Sequence, residues 1–184
     1  TLFLEATKPL VISYQRTEAA VLLDQHHFAL VLSSFGQSKL QVAKERRLTN
    51  TALEHVIDGG SHDWFEIKTF RSNGSRYLGV FYGAEKCPTS VELYSIDYRH
   101  QLTRVSKKLG VCRHGRIRPI LVQQSTGLET DGFYVVGGKK GHFSQTECYT
   151  DYEYFPLVAL MDDNTPLKTT DSIKDLTNPP IEVA

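Results

Sequence analysis

This 184-residue chain is short of cysteine, of long apolar runs, of net charge and of any catalytic signature. Three cysteines, Cys87, Cys112 and Cys148, allow at most one internal disulfide with one thiol left over, which excludes a disulfide-built scaffold. No apolar stretch approaches the roughly 20 residues that cross a bilayer as a helix; the longest, around Phe28 to Leu32, suits a buried strand. Lysine plus arginine and aspartate plus glutamate both number 21, so uniform attraction to polyanions is excluded as well. His-Glu-x-x-His is missing, the serines lack a nucleophile-elbow context, and Gly137-Gly138-Lys139-Lys140-Gly141 lacks the spacing of a phosphate-binding loop and reads as a hairpin turn.

What is present belongs to a folded all-β protein. The 40% apolar and 23% charged fractions are globular values, and the length fits one core. Short apolar or alternating runs recur at Val11–Tyr14, Ala20–Leu23, Phe28–Leu32, Leu40–Ala43, Trp64–Phe70, Tyr77–Tyr82, Val91–Ile96, Ile117–Val122, Phe133–Val136 and Tyr154–Leu160. Turn residues such as Ser72-Asn73-Gly74-Ser75 separate most of them. The strongest hairpin joins Trp64–Phe70 to Arg76–Tyr82, with Phe65 and Ile67 on one face and Glu66 and Lys68 on the other. Helix is expected only around Lys44 to Val56, where Leu48, Ala52 and Val56 recur at fourfold spacing.

The expectation is therefore a single all-β domain over residues 1–161, with about ten to twelve strands and at most one short helix, as a β-sandwich, jelly roll or β-trefoil barrel. Residues 162–184, polar and bracketed by Asp162-Asp163-Asn164-Thr165-Pro166 and Asn178-Pro179-Pro180, read as an extended acidic C-terminal tail or linker. The chain opens on Thr1, as a processed protein or excised domain would, and Asn73-Gly74-Ser75 is a glycosylation acceptor. Secretion or surface display is thus expected ahead of a cytosolic location.

Charge is polarised despite the neutral total. Between Tyr98 and Leu128 lie seven cations and no acid: Arg99, Arg104, Lys107, Lys108, Arg113, Arg116 and Arg118. Acids gather after Glu147, where Asp151, Glu153, Asp162, Asp163, Asp171, Asp175 and Glu182 are opposed by Lys168 and Lys174. Placed around Gly110 and Gly115, the cations read as one long basic loop that binds an anionic partner with Tyr98 as a stacking face, or that docks the acidic tail. Tyr94, Tyr98, Tyr149, Tyr152 and Tyr154 offer rigid amphipathic contact area.

Other constellations are weaker. Glu54, His55, Asp58, His62 and Asp63 have the chemistry for a metal or for acid/base work but straddle Gly59-Gly60. Cys112, His114, His142 and Cys148 match no common zinc spacing, and Cys112 to Cys148 is a possible disulfide. Adjacent His26 and His27 should point to opposite faces of a strand, which denies one ion to both.

The segment from Phe28 to Leu160 divides into three stretches. They open on Phe28-Ala29-Leu30-Val31-Leu32, Tyr77-Leu78-Gly79-Val80 and Phe133-Tyr134-Val135-Val136. Each later meets a second apolar strand: Trp64-Phe65-Glu66-Ile67, Ile117 to Val122, and Tyr154-Phe155-Pro156-Leu157. In this the chain resembles β-trefoil proteins, and Gly74-Ser75-Arg76-Tyr77-Leu78-Gly79-Val80 with Lys107-Lys108 is similar to fibroblast growth factors. The resemblance implies a twelve-strand pseudo-threefold barrel with heparan sulfate and receptor binding. The Gln-x-Trp repeat of trefoil lectins is absent, since Trp64 is the sole tryptophan.

The functional expectation is a non-enzymatic recognition module for a protein or an acidic glycan, requiring no cofactor. Two alternatives are a metal-assisted hydrolytic enzyme built on Glu54 to Asp63 and an intracellular nucleic-acid-binding protein.

Overall fold

Alternating side chains and tight turns produce an all-β chain. The computed structural model describes residues 16–34, 36–44, 55–57, 62–84, 87–112, 115–124, 131–140 and 147–162. Among these are eleven strands: β1 (Arg16–Leu22), β2 (His27–Ser34), β3 (Gln37–Lys44), β4 (His55–Ile57), β5 (Trp64–Ser72), β6 (Ser75–Ala84), β7 (Cys87–Ile96), β8 (Leu102–Lys108), β9 (Ile120–Gln124), β10 (Gly132–Val136) and β11 (Tyr152–Pro156). One short helix follows, α1 (Leu157–Met161). No helix among the described residues is long and apolar enough to cross a membrane.

Every ladder is antiparallel and joins strands consecutive in sequence, giving three sheets: β1 to β4, β5 to β8, and β9 to β11. Among the described strands no ladder joins one sheet to the next. The hairpin of β5 and β6 pairs Ser72 with Ser75 across Asn73 (φ 49°) and Gly74 (φ 75°). Two successive positive φ values give a turn twisted like its flanking strands, the reason Asn-Gly is favoured there. Register follows from the alternation: Phe65 and Ile67 pack in one cluster, while Glu66 and Lys68 share the other face as an ion pair at 2.6 Å.

The middle sheet is apolar on both faces. Along β6, Leu78, Val80 and Tyr82 join β1 to β4 residues such as Val31, Leu40 and Ile57, whereas Phe81 joins Phe133, Val135 and Phe155 from the third sheet. A strand buried on both sides loses the polar alternation of a half-exposed one, and β6 is buried continuously from Leu78 to Ala84. Gly83, paired with Trp64, leaves room for the indole: a Cβ there would lie 3.1 Å from Trp64 Nε1. That Nε1 donates to the Arg116 carbonyl at 2.5 Å and ties β5 to the segment entering β9.

Two expectations are corrected. His55 and Val56 lie in β4 and Lys44 ends β3, so the helix expected over Lys44 to Val56 is not formed at those positions; residues 45–54 lie outside the described residues. The helix is instead α1, where the chain leaves β11 and buries Leu157 and Leu160. The cationic segment is no single loop, because Leu102–Lys108 is β8, paired with β7. The run Val11–Tyr14 and residues 163–184 lie outside the described residues.

Candidate functional site

The cationic segment is dispersed over three settings. Tyr98 and Arg99 occupy the turn between β7 and β8, with Tyr98 81% exposed and the Arg99 guanidinium 5.2 Å from its ring centroid. The Asp97 carboxylate holds that turn, accepting the backbone amides of Arg99 (2.8 Å) and Gln101 (2.7 Å). On β8, Arg104 is exposed, whereas Lys107 turns to Glu92 on β7 at 3.6 Å. Lys108 is buried and donates to the Asp162 carbonyl at 2.5 Å, clamping the end of α1. Arg118 is exposed at φ 50° and lines a solvent-open cleft with Arg16, Glu18, Asp63 and Glu66, a mixed rather than cationic lining. Arg113 lies outside the described residues.

Arg116 turns inward completely. Its side chain is 0% exposed, and its guanidinium donates to Asp151 Oδ1 (2.7 Å), the Gly137 carbonyl (2.8 Å) and Glu153 Oε1 (2.8 Å). It also lies 4.6 Å from the Tyr149 ring centroid. Burial works against this charge, but the hydrogen bonds it donates to Asp151 and Glu153 outweigh it and hold the guanidinium above its ordinary pKa. The basic segment and the acids after Glu147 thus do meet, inside the fold, through Arg116.

A second enclosed carboxylate, Glu92, accepts the hydroxyls of Tyr82 (3.0 Å) and Tyr94 (2.6 Å). Burial, then the Glu92 carboxylate, pushes the Tyr94 phenol well above its usual range. Tyr94 is therefore a core residue and supplies no contact surface.

The acid/base region does not assemble among the described residues. His55 Nε2 lies 3.0 Å from the Leu102 carbonyl with its ring edge-on to Tyr94, while His62 packs edge-on to Phe65 and Tyr82. Glu54, Asp58, His114 and His142 lie outside the described residues. Cys112 and Cys148 are separate free thiols, the first buried, the second exposed. Burial, then the nearby Glu153 carboxylate, pushes the Cys112 thiol up to about 12. Among the described residues, Asp24, His27 and His100 form a group of three potential metal donors within 4.8 Å of one another. Sequence spacing gave no sign of it, because the two histidines come from different sheets, His27 at the start of β2 and His100 in the turn from β7 to β8.

The most distinctive surface is the outer face of the third sheet. Leu121, Phe133, Val135 and Phe155 point into the core, so their alternate neighbours point out. Register lines these up in two rows, Ile120–Val136–Tyr152 and Val122–Tyr134–Tyr154. Ile120 is 65% and Val122 47% exposed. The Tyr134 ring lies 4.8 Å from Tyr154 and 5.6 Å from Tyr152, and its hydroxyl donates to Gln124 Oε1 at 2.7 Å. Exposed Lys139 and Lys140 follow this sheet's middle strand, with the Lys140 ammonium 5.6 Å from the Tyr149 ring centroid. Of the tyrosines read from sequence as contact surface, Tyr152 and Tyr154 belong here, joined by Tyr134, which the sequence reading did not single out.

No protein-family model, no curated protein and no solved structure matches this chain.

Proposed function

We propose that this chain is a recognition module that binds a protein partner through the outer face of β9, β10 and β11. The observation that carries the reading is the pairing of exposed Ile120 and Val122 with Tyr134, Tyr152 and Tyr154 on one sheet face. Tyrosine supplies large contact area at little conformational cost, and a contiguous apolar strip on a folded surface marks an interaction site. Two ring contacts among the three tyrosines, set in an antiparallel ladder, limit the entropy lost on binding.

The inward-facing Arg116 and Lys108 weaken the reading in which the whole basic segment grips an anionic glycan. Tyr98, Arg99 and Arg104 remain as a separate exposed turn and strand surface for secondary contacts.

The test compares proteins captured by the native chain with those captured by Ile120→Lys/Val122→Lys and by Tyr98→Ser/Arg99→Ser, all checked for folding by Trp64 fluorescence. A partner retained by the second variant, lost by the first and rebound as a purified protein supports the proposal. It fails if both variants retain the same partners. It also fails if the native chain is a dimer that Ile120→Lys/Val122→Lys turns monomeric, since the face would then be a self-interface.

A further inference from the structure

We propose that Asp24, His27 and His100 form a binding site for a divalent late transition-metal ion of the Zn(II) type, bridging the first and second sheets. Asp24 lies in the turn from β1 to β2, His27 opens β2, and His100 stands in the turn from β7 to β8. Asp24 is the hub: its Oδ1 is 3.0 Å from His27 Nδ1 and its Oδ2 is 2.5 Å from His100 Nε2. The two imidazoles stack with centroids 4.1 Å apart and planes 12° from parallel.

The donor set suits the ion. Two imidazole nitrogens and one carboxylate oxygen match a three-ligand zinc site, and imidazole favours Zn(II), Ni(II) and Cu(II) over Mg(II) or Ca(II). The Asp24 side chain is 35% exposed, which provides entry from solvent and leaves room for water at the remaining coordination positions. Metal–nitrogen distances of roughly 2.0–2.1 Å require the ion to replace the carboxylate–imidazole hydrogen bonds, with the stacked rings splaying about their side-chain torsions.

Both backbones are fixed before any ion arrives. Asp24 Oδ1 accepts the amides of His26 (2.7 Å) and His27 (2.8 Å), and the amides of Leu23 (2.8 Å) and Asp24 (3.2 Å) both donate to the His27 carbonyl. Arg76 of β6 donates to the Leu23 carbonyl, fixing this turn to the second sheet. Opposite, the His100 amide donates to the Asp97 carbonyl at 3.1 Å, and His100 holds φ 61°. A non-glycine residue in the left-handed region is uncommon and strained, and such positions cluster at functional sites. Here it places the His100 ring over His27.

The experiment is titration of the full chain with Zn(II) at pH 7.5 against a chromophoric chelator. One equivalent should bind, and His27→Ala, His100→Ala and Asp24→Asn should each weaken it at least tenfold. The proposal is overturned if the native chain binds no Zn(II), or if His27→Ala/His100→Ala keeps native stoichiometry and affinity. Should the variants not fold, imidazole nitrogen resonances of the native chain decide. Zn(II) must perturb His27 and His100 and spare His55 and His62; perturbation of other histidines with these two unmoved overturns it.

Discussion

Replacing Arg116 with methionine tests how the charged interior is held. Methionine keeps much of the apolar stem but deletes three hydrogen bonds, to Asp151, Glu153 and the Gly137 carbonyl. Glu153, 4% exposed, is left as an enclosed carboxylate without the Arg116 guanidinium, while Asp151 at 17% has partial access to water. Breaking a buried pair from one side costs about 3–5 kcal/mol, because the abandoned charge has lost its hydration as well as its partner. For a chain of this size, about 2–4 °C of melting temperature is lost per kcal/mol, which predicts a fall of about 6–20 °C. Urea unfolding followed by Trp64 fluorescence reads the same loss, and the probe is local, since the indole donates to the Arg116 carbonyl. The control is Arg116→Met/Asp151→Asn/Glu153→Gln, which removes the stranded charges and should recover much of the deficit. A fall under about 2 °C in the single variant would refute the reasoning from buried charge. So would a triple variant no more stable than the single one.

The Tyr94 phenol, raised in the folded state, is expected to make the chain alkali-sensitive. Its stabilising contribution is complete below the ordinary phenol value of 10.0 and is lost as pH rises from there toward the raised folded value. Tyr94→Phe should flatten the decline in urea stability above pH 10, and an equally steep decline in that variant would contradict the assignment. Tyr94→Phe should itself cost about 1.5–3 kcal/mol at neutral pH, the range for a hydrogen bond to a charged group. Maleimide at pH 8 should label Cys148 rapidly in the native chain and spare Cys112, buried and raised to about 12, until denaturant is added. Peptide mapping that finds Cys112 modified at the native-state rate of Cys148 would refute its placement.

The signals that survived into the structure are local ones. Asn73-Gly74 determines its own turn, because only residues tolerant of positive φ fit there, and alternation in Trp64–Phe70 determines which side chains share a face. Where local signals competed, the sequence was ambiguous. Leu102–Lys108 carries three cations and was legible only as a basic loop, yet its backbone completes the edge of the β7 ladder and its charges find Glu92 and the Asp162 carbonyl. Val56 continues a helical repeat in sequence from Leu48 and Ala52, but its pairing with Lys39 of β3 places it in a sheet.

By itself, then, the sequence determined the all-β class, the main hairpins and the polarity of charge, since each depends on neighbours within a few residues. Tertiary structure alone decided the direction in which each charge and ring points. It turned Arg116 inward onto Asp151 and Glu153, set Tyr134 beside Tyr154, and brought His27 to His100 from separate sheets. Those contacts cross strands or sheets, and no periodicity of 2 or 3.6 residues encodes a distance between segments that meet only once the core has packed.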